Sequence, residues 1–183
     1  ASDAQDPANL AMRRFSEMAY AGHPYGSDGD GTPDSVAALT RDDVLDAHKA
    51  TMTRDRMYVA AVGDISAAEL GLLLDHLLGD LPALGRQMPS VAGWHLDGGV
   101  TVVDYPSPQS VILFGQEGMR QDDPDFFAAF ILNEVLGGGR FSARLMTELR
   151  EKRGLTYGVS TFLAPMDYAQ AYMGQMATAN ATV

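Results

Sequence analysis

The chain has 183 residues, 46% of them hydrophobic, a formal net charge of -11 and no cysteine. That length fits one ordinary domain or two small ones, with enough apolar content for a core and too much for disorder. The charge disfavours nucleic acid and anionic membrane surfaces, and the missing thiols exclude disulfides, thiolate nucleophiles and cysteine-ligated zinc.

Residues 13–22, RRFSEMAYAG, read as a short amphipathic helix ending at Gly22. The loop HPYGSDGDGTPDS follows, rich in Gly, Pro and Asp. Its DGDGTPD stretch has the opening of a calcium loop, but the twelfth position from Asp28 is Leu39 where a Glu is needed, so it reads as a polar turn. Over residues 35–52, Thr40 is a good N-cap with Asp43 at the capping-box position, and Val44, Leu45 and His48 share one helix face. MYVAAVGD, residues 57–64, is a continuous apolar run with β-branched character that predicts a buried strand. Ser66 and Glu69 form an S-x-x-E capping box for the next helix, whose apolar stripe is Leu70, Leu73, Leu74, Leu77 and Leu78.

Residues 82–99 break every period and read as a linker. The pattern restarts with two predicted strands, VTVVDY (100–105) and SVILFGQ (110–116). DDPDFFAAFILNEVLGGG predicts a helix with an Asp cap and Pro124 in its first turn, stopped by the glycine run, with Phe126, Phe127, Phe130 and Ile131 as a broad buried face. The stretch FSARLMTELREKRG predicts a helix capped by Ser142 and stopped by Gly154. Then LTYGVSTFL reads as a strand with Leu155, Tyr157, Val159, Thr161 and Leu163 on one face, and YAQAYMGQMAT continues as another. Mixed helices and strands that can pair as hairpins point to an α+β fold with mostly antiparallel sheets packed with helices.

Most chemical signals are negative. His23, His48, His76 and His95 have no partner at zinc spacing, H-E-x-x-H is absent, and His48 and His76 read as partly buried helix residues. GGGRFS precedes a helix but lacks a phosphate-loop pattern and is fed by no strand, so it reads as a flexible connection with close backbone packing. Serines sit in no G-x-S-x-G, and the carboxylates read as a solvated acidic surface. LREKRGLTYG remains. Arg150, Lys152 and Arg153 suit a helix C-terminus, and Tyr157 suits a strand core. The Gly154 turn also allows Arg150 and Tyr157 to face one cleft, where a guanidinium and a phenol offer donors to a peptide carbonyl or carboxylate.

The ends, ASDAQDP without Met and MATANATV, read as those of a piece of a longer protein. No apolar run approaches the roughly 20 residues of a membrane span, no signal peptide is visible, and the compartment, periplasm or cytoplasm, stays open.

N-x-x-L-G-G-G-x-F-S-x-R-L followed by L-R-E-K-R-G-L-x-Y, with GHPYG and MYVAAVGDI upstream, resembles the M16 metallopeptidases, the pitrilysin and insulinase family. The resemblance covers most of the chain. It implies parts of two homologous, mitochondrial-processing-peptidase-like domains: the second part of an N-terminal domain over 1–81, a linker over 82–99, and the first part of the following domain over 100–183. In this family one half carries zinc on an inverted H-x-x-E-H helix and the other supplies an Arg/Tyr pair that grips the substrate backbone. Arg150 and Tyr157 match that pair, while H-x-x-E-H is missing from this chain. The resemblance thus implies no catalytic or metal residue here. It implies zinc on the catalytic half or a partner subunit, a peptide substrate, and a homo- or hetero-oligomer. Zinc-activated water would attack the peptide carbonyl with a Glu of that half as base, while Arg150 and Tyr157 hold the substrate and help stabilise the oxyanion. The chain alone is expected to be inactive. The alternative is a non-proteolytic scaffold or assembly subunit of the same family.

Overall fold

Three alternating apolar stretches pair into one antiparallel sheet: β1 (Gln109–Glu117), β2 (Thr156–Pro165) and β3 (Gln170–Ala179), in the order β1-β3-β2. This computed structural model describes residues 6–183. Those residues divide into two compact units. One combines the chain up to Gly29 with Pro89–Val183, and the other is Asp30–Met88.

In the first unit, β2 and β3 form a hairpin closed by the Met166 N–H donating to the Ala169 carbonyl at 2.8 Å. Side chains alternate between faces along a strand, and both faces of this sheet hold buried residues: Val159 and Thr161 on one, and Ala171 and Met173, opposite Ala164 and Phe162, on the other. Helix α1 (Pro7–Ala19) is capped by Asp6, whose carboxylate accepts from the Ala8 and Asn9 N–H groups. It lies close on β1, so a Cβ at Gly115 would come within 2.9 Å of the Phe15 ring. Beyond α1, Tyr20 packs edge-on to Trp94 and Tyr25, with ring centroids 5.7 and 6.2 Å away, around the buried Ala19 and Ala169. Residues 92–96, inside the 82–99 stretch, are fastened there by Ala92 N–H to the Tyr168 carbonyl and His95 N–H to the Ala19 carbonyl.

The second unit holds α2 (Pro33–Ala37), α3 (Arg41–Thr51) and α4 (Ala67–Leu78). Both expected capping boxes form: Thr40 with Asp43, and Ser66 with Glu69, each side chain bonding the other residue's backbone N–H. The hydroxyls of Thr40 and Ser66 hold the Asp43 and Glu69 carboxyls below the usual carboxylate range. Thr53 is buried, its hydroxyl on Asp55, and Asp55 also accepts from the Gly85 N–H.

Several sequence expectations are corrected here. MYVAAVGD and VTVVDY form no strand, and Tyr58, Val62 and Val100 are almost fully exposed. A strand needs a neighbour for its N–H and C=O groups, and no strand of the described residues pairs with either run. On α4 only Leu70, Leu74 and Leu78 are half-buried, while Leu73 and Leu77 face solvent. His48 and His76 are exposed rather than partly buried.

Candidate functional site

The site grows from two helices and the glycine-rich connection between them. Helix α5 (Phe126–Asn133) begins after an Asp turn in which the Asp123 carboxylate accepts from the Asp125 N–H at 2.9 Å. Pro124 therefore precedes the helix instead of sitting in its first turn. The expected buried face is also corrected: Phe127, Phe130 and Ile131 are exposed and only Phe126 is half-buried. The helix is apolar nearly all round, and the three-stranded sheet covers only part of it.

After α5 the chain widens into a π-helical turn, Glu134–Gly138. Here Gly137 lies so close to β2 that a Cβ would collide with the Thr161 side chain and backbone N. A buried polar chain sits at that contact. Thr161 donates to the Asn133 side-chain oxygen at 2.8 Å and accepts from the Tyr172 hydroxyl at 3.2 Å. Close backbone packing is thus what the glycine run provides.

Next, Arg140 adopts a left-handed φ of 53°, uncommon for a residue with a side chain. This turns the chain so that Phe141 projects from the loop, 61% exposed. The expected cap role of Ser142 is corrected: its hydroxyl donates backwards to the Gly139 carbonyl at 2.9 Å and fastens the loop. The following helix is π-helical over Met146–Glu151, with Lys152 N–H bonded to the Thr147 carbonyl. Single-turn π-helices occur mostly as local widenings and are frequent at functional sites. Gly154, at φ +62°, closes the helix as expected, with its N–H on the Arg150 carbonyl and that of Leu155 on the Leu149 carbonyl.

Tyr157 departs from the one-face reading of β2. The register runs Thr156 opposite Thr178 and Val159 opposite Met176, so β2 carries one extra residue between them. That bulge turns Tyr157 out of the face shared by Val159 and Thr161 and leaves it 83% exposed. Thr156 secures the bulge by donating to the Ala177 carbonyl at 2.6 Å and accepting from the Gly158 N–H at 3.1 Å. The Val159 N–H meets the buried Met146 sulfur at 3.4 Å, tying the bulge to the helix that carries Arg150.

The structure brings Arg150 and Tyr157 together. The guanidinium carbon lies 4.8 Å from the Tyr157 ring centroid and 4.9 Å from that of Phe141. A cation over a ring face at such distances is attracted by the ring quadrupole, worth about 0.5–1 kcal/mol at exposed sites. Among the described residues no ion pair or hydrogen bond engages the guanidinium, which keeps five N–H donors for an incoming acceptor. Lys152 instead pairs with Glu148 at 2.6 Å, and its ammonium holds the Glu148 carboxyl below the usual range. Phe141 was missed by sequence reasoning. An aromatic two residues past a glycine run and just before a helix start was the available signal.

Among the described residues no three His, Asp or Glu side chains gather to hold a metal. No helix among them is long and apolar enough to cross a membrane.

A family model described as "Peptidase M16 inactive domain" matches residues 38–180. The chain belongs to that M16 family. It is 32% identical over 162 residues to an uncharacterized zinc protease of Mycobacterium leprae, covering 86% of this chain and 36% of that protein. It is also 32% identical over 124 residues to a probable mitochondrial-processing peptidase subunit beta of Schizosaccharomyces pombe, covering 65% of this chain and 27% of that one. Among solved structures, a crystal structure of a peptidase M16 inactive domain from Pseudomonas fluorescens superimposes with a TM-score of 0.82 at 31% identity, over 97% of this chain and 43% of its own. A protease from Helicobacter pylori shares the fold, with a TM-score of 0.77 at 20% identity over 96% of this chain and 43% of its own. The α+β fold expected from the sequence is that of the P. fluorescens M16 inactive domain. The chain spans about a third of the length of the M. leprae protein.

Proposed function

We propose that this chain supplies the substrate-gripping side of a peptide-cleaving chamber in a zinc-dependent M16 peptidase, with the metal on another half of the parent or on a partner subunit. The observation that carries this reading is the 4.8 Å approach of Arg150 to Tyr157, with the phenol exposed and the guanidinium donors unengaged. A peptide backbone held in extended form offers carbonyls in a row. Arg150 and the Tyr157 hydroxyl can donate to one of them from the side opposite the reacting group, holding the peptide and stabilising charge that develops on its oxygen. The reading assigns residues 1–81 and 100–183 to parts of two homologous M16-type domains joined through 82–99. The relatives named as zinc proteases support the reaction class.

A second reading, a non-proteolytic scaffold, takes the same stack as structural, because the two rings hold the Arg150 cation in place without any substrate. Peptide binding separates the two. The full-length protein is titrated with a fluorescein-labelled, uncleaved peptide, alone and as the Arg150→Ala variant. The grip reading expects at least tenfold weaker binding by the variant, and equal binding at equal stability leaves the scaffold.

A further inference from the structure

We infer that Phe141 is a positioning residue for Arg150, a reading that rests on the substrate grip proposed above. Three independent features place it. Its ring centroid lies 4.9 Å from the Arg150 guanidinium carbon, nearly the same separation as that of Tyr157. The ring is 61% exposed, so packing in the core does not account for its position. The backbone on both sides is set by unusual local structure: Arg140 is left-handed, and the Ser142 hydroxyl ties the turn back to the Gly139 carbonyl.

The chemistry follows from what arginine is. Its long side chain has many rotamers, and a guanidinium free to swing presents its donors in no fixed direction. Two ring faces attract the cation without accepting a hydrogen bond from it. Phe141 and Tyr157 together therefore fix where the donors sit and leave the donors unused. Tyr157 also carries a hydroxyl for the substrate, whereas Phe141 offers only its face, so its part is played through Arg150.

A shape-preserving series tests this. In the full-length protein assembled with the zinc-bearing half, Phe141 is replaced by mono-, di- and trifluorinated phenylalanines, which keep the ring's size and progressively drain its face. Phe141→Leu removes the ring and Phe141→Trp restores a strong one. Readouts are KM and kcat for a quenched-fluorescent decapeptide chosen from a casein digest by that enzyme, and the Arg150 Nε–H resonance. KM is expected to rise stepwise with fluorination, by about two- to fivefold at the end of the series, and kcat/KM to fall at least in proportion. Phe141→Leu shifts the Arg150 resonance and Phe141→Trp restores KM. A flat KM across the series, while Arg150→Ala raises it, overturns the positioning role and leaves the grip standing. An unchanged KM and unchanged kcat in Arg150→Ala overturn both.

Discussion

The Arg150 guanidinium carbon stands 4.8 Å from the centroid of the Tyr157 ring, and the two residues reach that distance from different elements, a π-helical end and a bulged strand. The bulge matters for what can be tested. Because Tyr157 is exposed, its replacement leaves the core intact, and exposed substitutions usually shift stability by no more than about 0.5 kcal/mol. Tyr157→Phe keeps the ring over the cation and loses only the hydroxyl, whereas Tyr157→Leu loses both. Peptide affinity is expected to fall in the order wild type, Tyr157→Phe, Tyr157→Leu, with unchanged thermal midpoints, read by fluorescence titration and calorimetry.

Gly137 is the residue on which β2 rests. Its missing Cβ leaves room for the Thr161 side chain and backbone. Gly137→Ala is expected to destabilise the chain by about 1–3 kcal/mol through overpacking. Urea denaturation measures this as a lower midpoint at an unchanged slope.

The Asn133–Thr161–Tyr172 chain makes a separate prediction. Thr161→Val keeps the shape but removes the donor to the Asn133 oxygen and the acceptor for the Tyr172 hydroxyl. Leaving the buried Asn133 side-chain oxygen without its donor is expected to cost about 1–3 kcal/mol. A double-mutant cycle with Asn133→Leu checks it: the second change is expected to cost less in the Thr161→Val background than alone.

Acid sensitivity follows from the caps. The hydroxyls of Thr40 and Ser66 depress Asp43 and Glu69, and Lys152 depresses Glu148. A carboxyl depressed in the folded state contributes stability above its unfolded pKa, about 4, and loses it as pH falls through the lower folded value. Helicity by far-ultraviolet circular dichroism is therefore expected to hold at neutral pH and to decline below about pH 4. A Thr40→Ala, Ser66→Ala double variant starts with less helix and shows a smaller acid-dependent loss.

What the sequence made legible was local. Thr40 with Asp43, Ser66 with Glu69 and the left-handed Gly154 are each decided within one turn of chain, and each forms as read. The alternating runs that became β1, β2 and β3 had partners within reach. MYVAAVGD and VTVVDY carry strand-like composition too, but pairing is a property of two segments, and composition alone does not supply the second. Arg150 and Tyr157 were visible as a pair through their spacing around Gly154. The bulge that exposes Tyr157 was not: Leu155, Tyr157, Val159, Thr161 and Leu163 stand at every second position in the sequence, which shows no sign that one extra residue shifts the faces between Thr156 and Val159. Phe141 was hidden because its place depends on Arg140 taking a left-handed backbone, which no residue type there announces.

The central claim is that Arg150 and Tyr157 hold the substrate. The direct measurement is kcat/KM for peptide cleavage by the full-length protein assembled with its zinc-bearing half, comparing Arg150→Ala and Tyr157→Phe with wild type at matched stability. Losing hydrogen bonds from a charged donor and a phenol to a reacting carbonyl, at about 1.5–3 and 0.5–1.5 kcal/mol, predicts falls of roughly tenfold or more and of a few-fold to about tenfold. Cleavage that proceeds at the wild-type rate in both variants, with folding intact, contradicts the account.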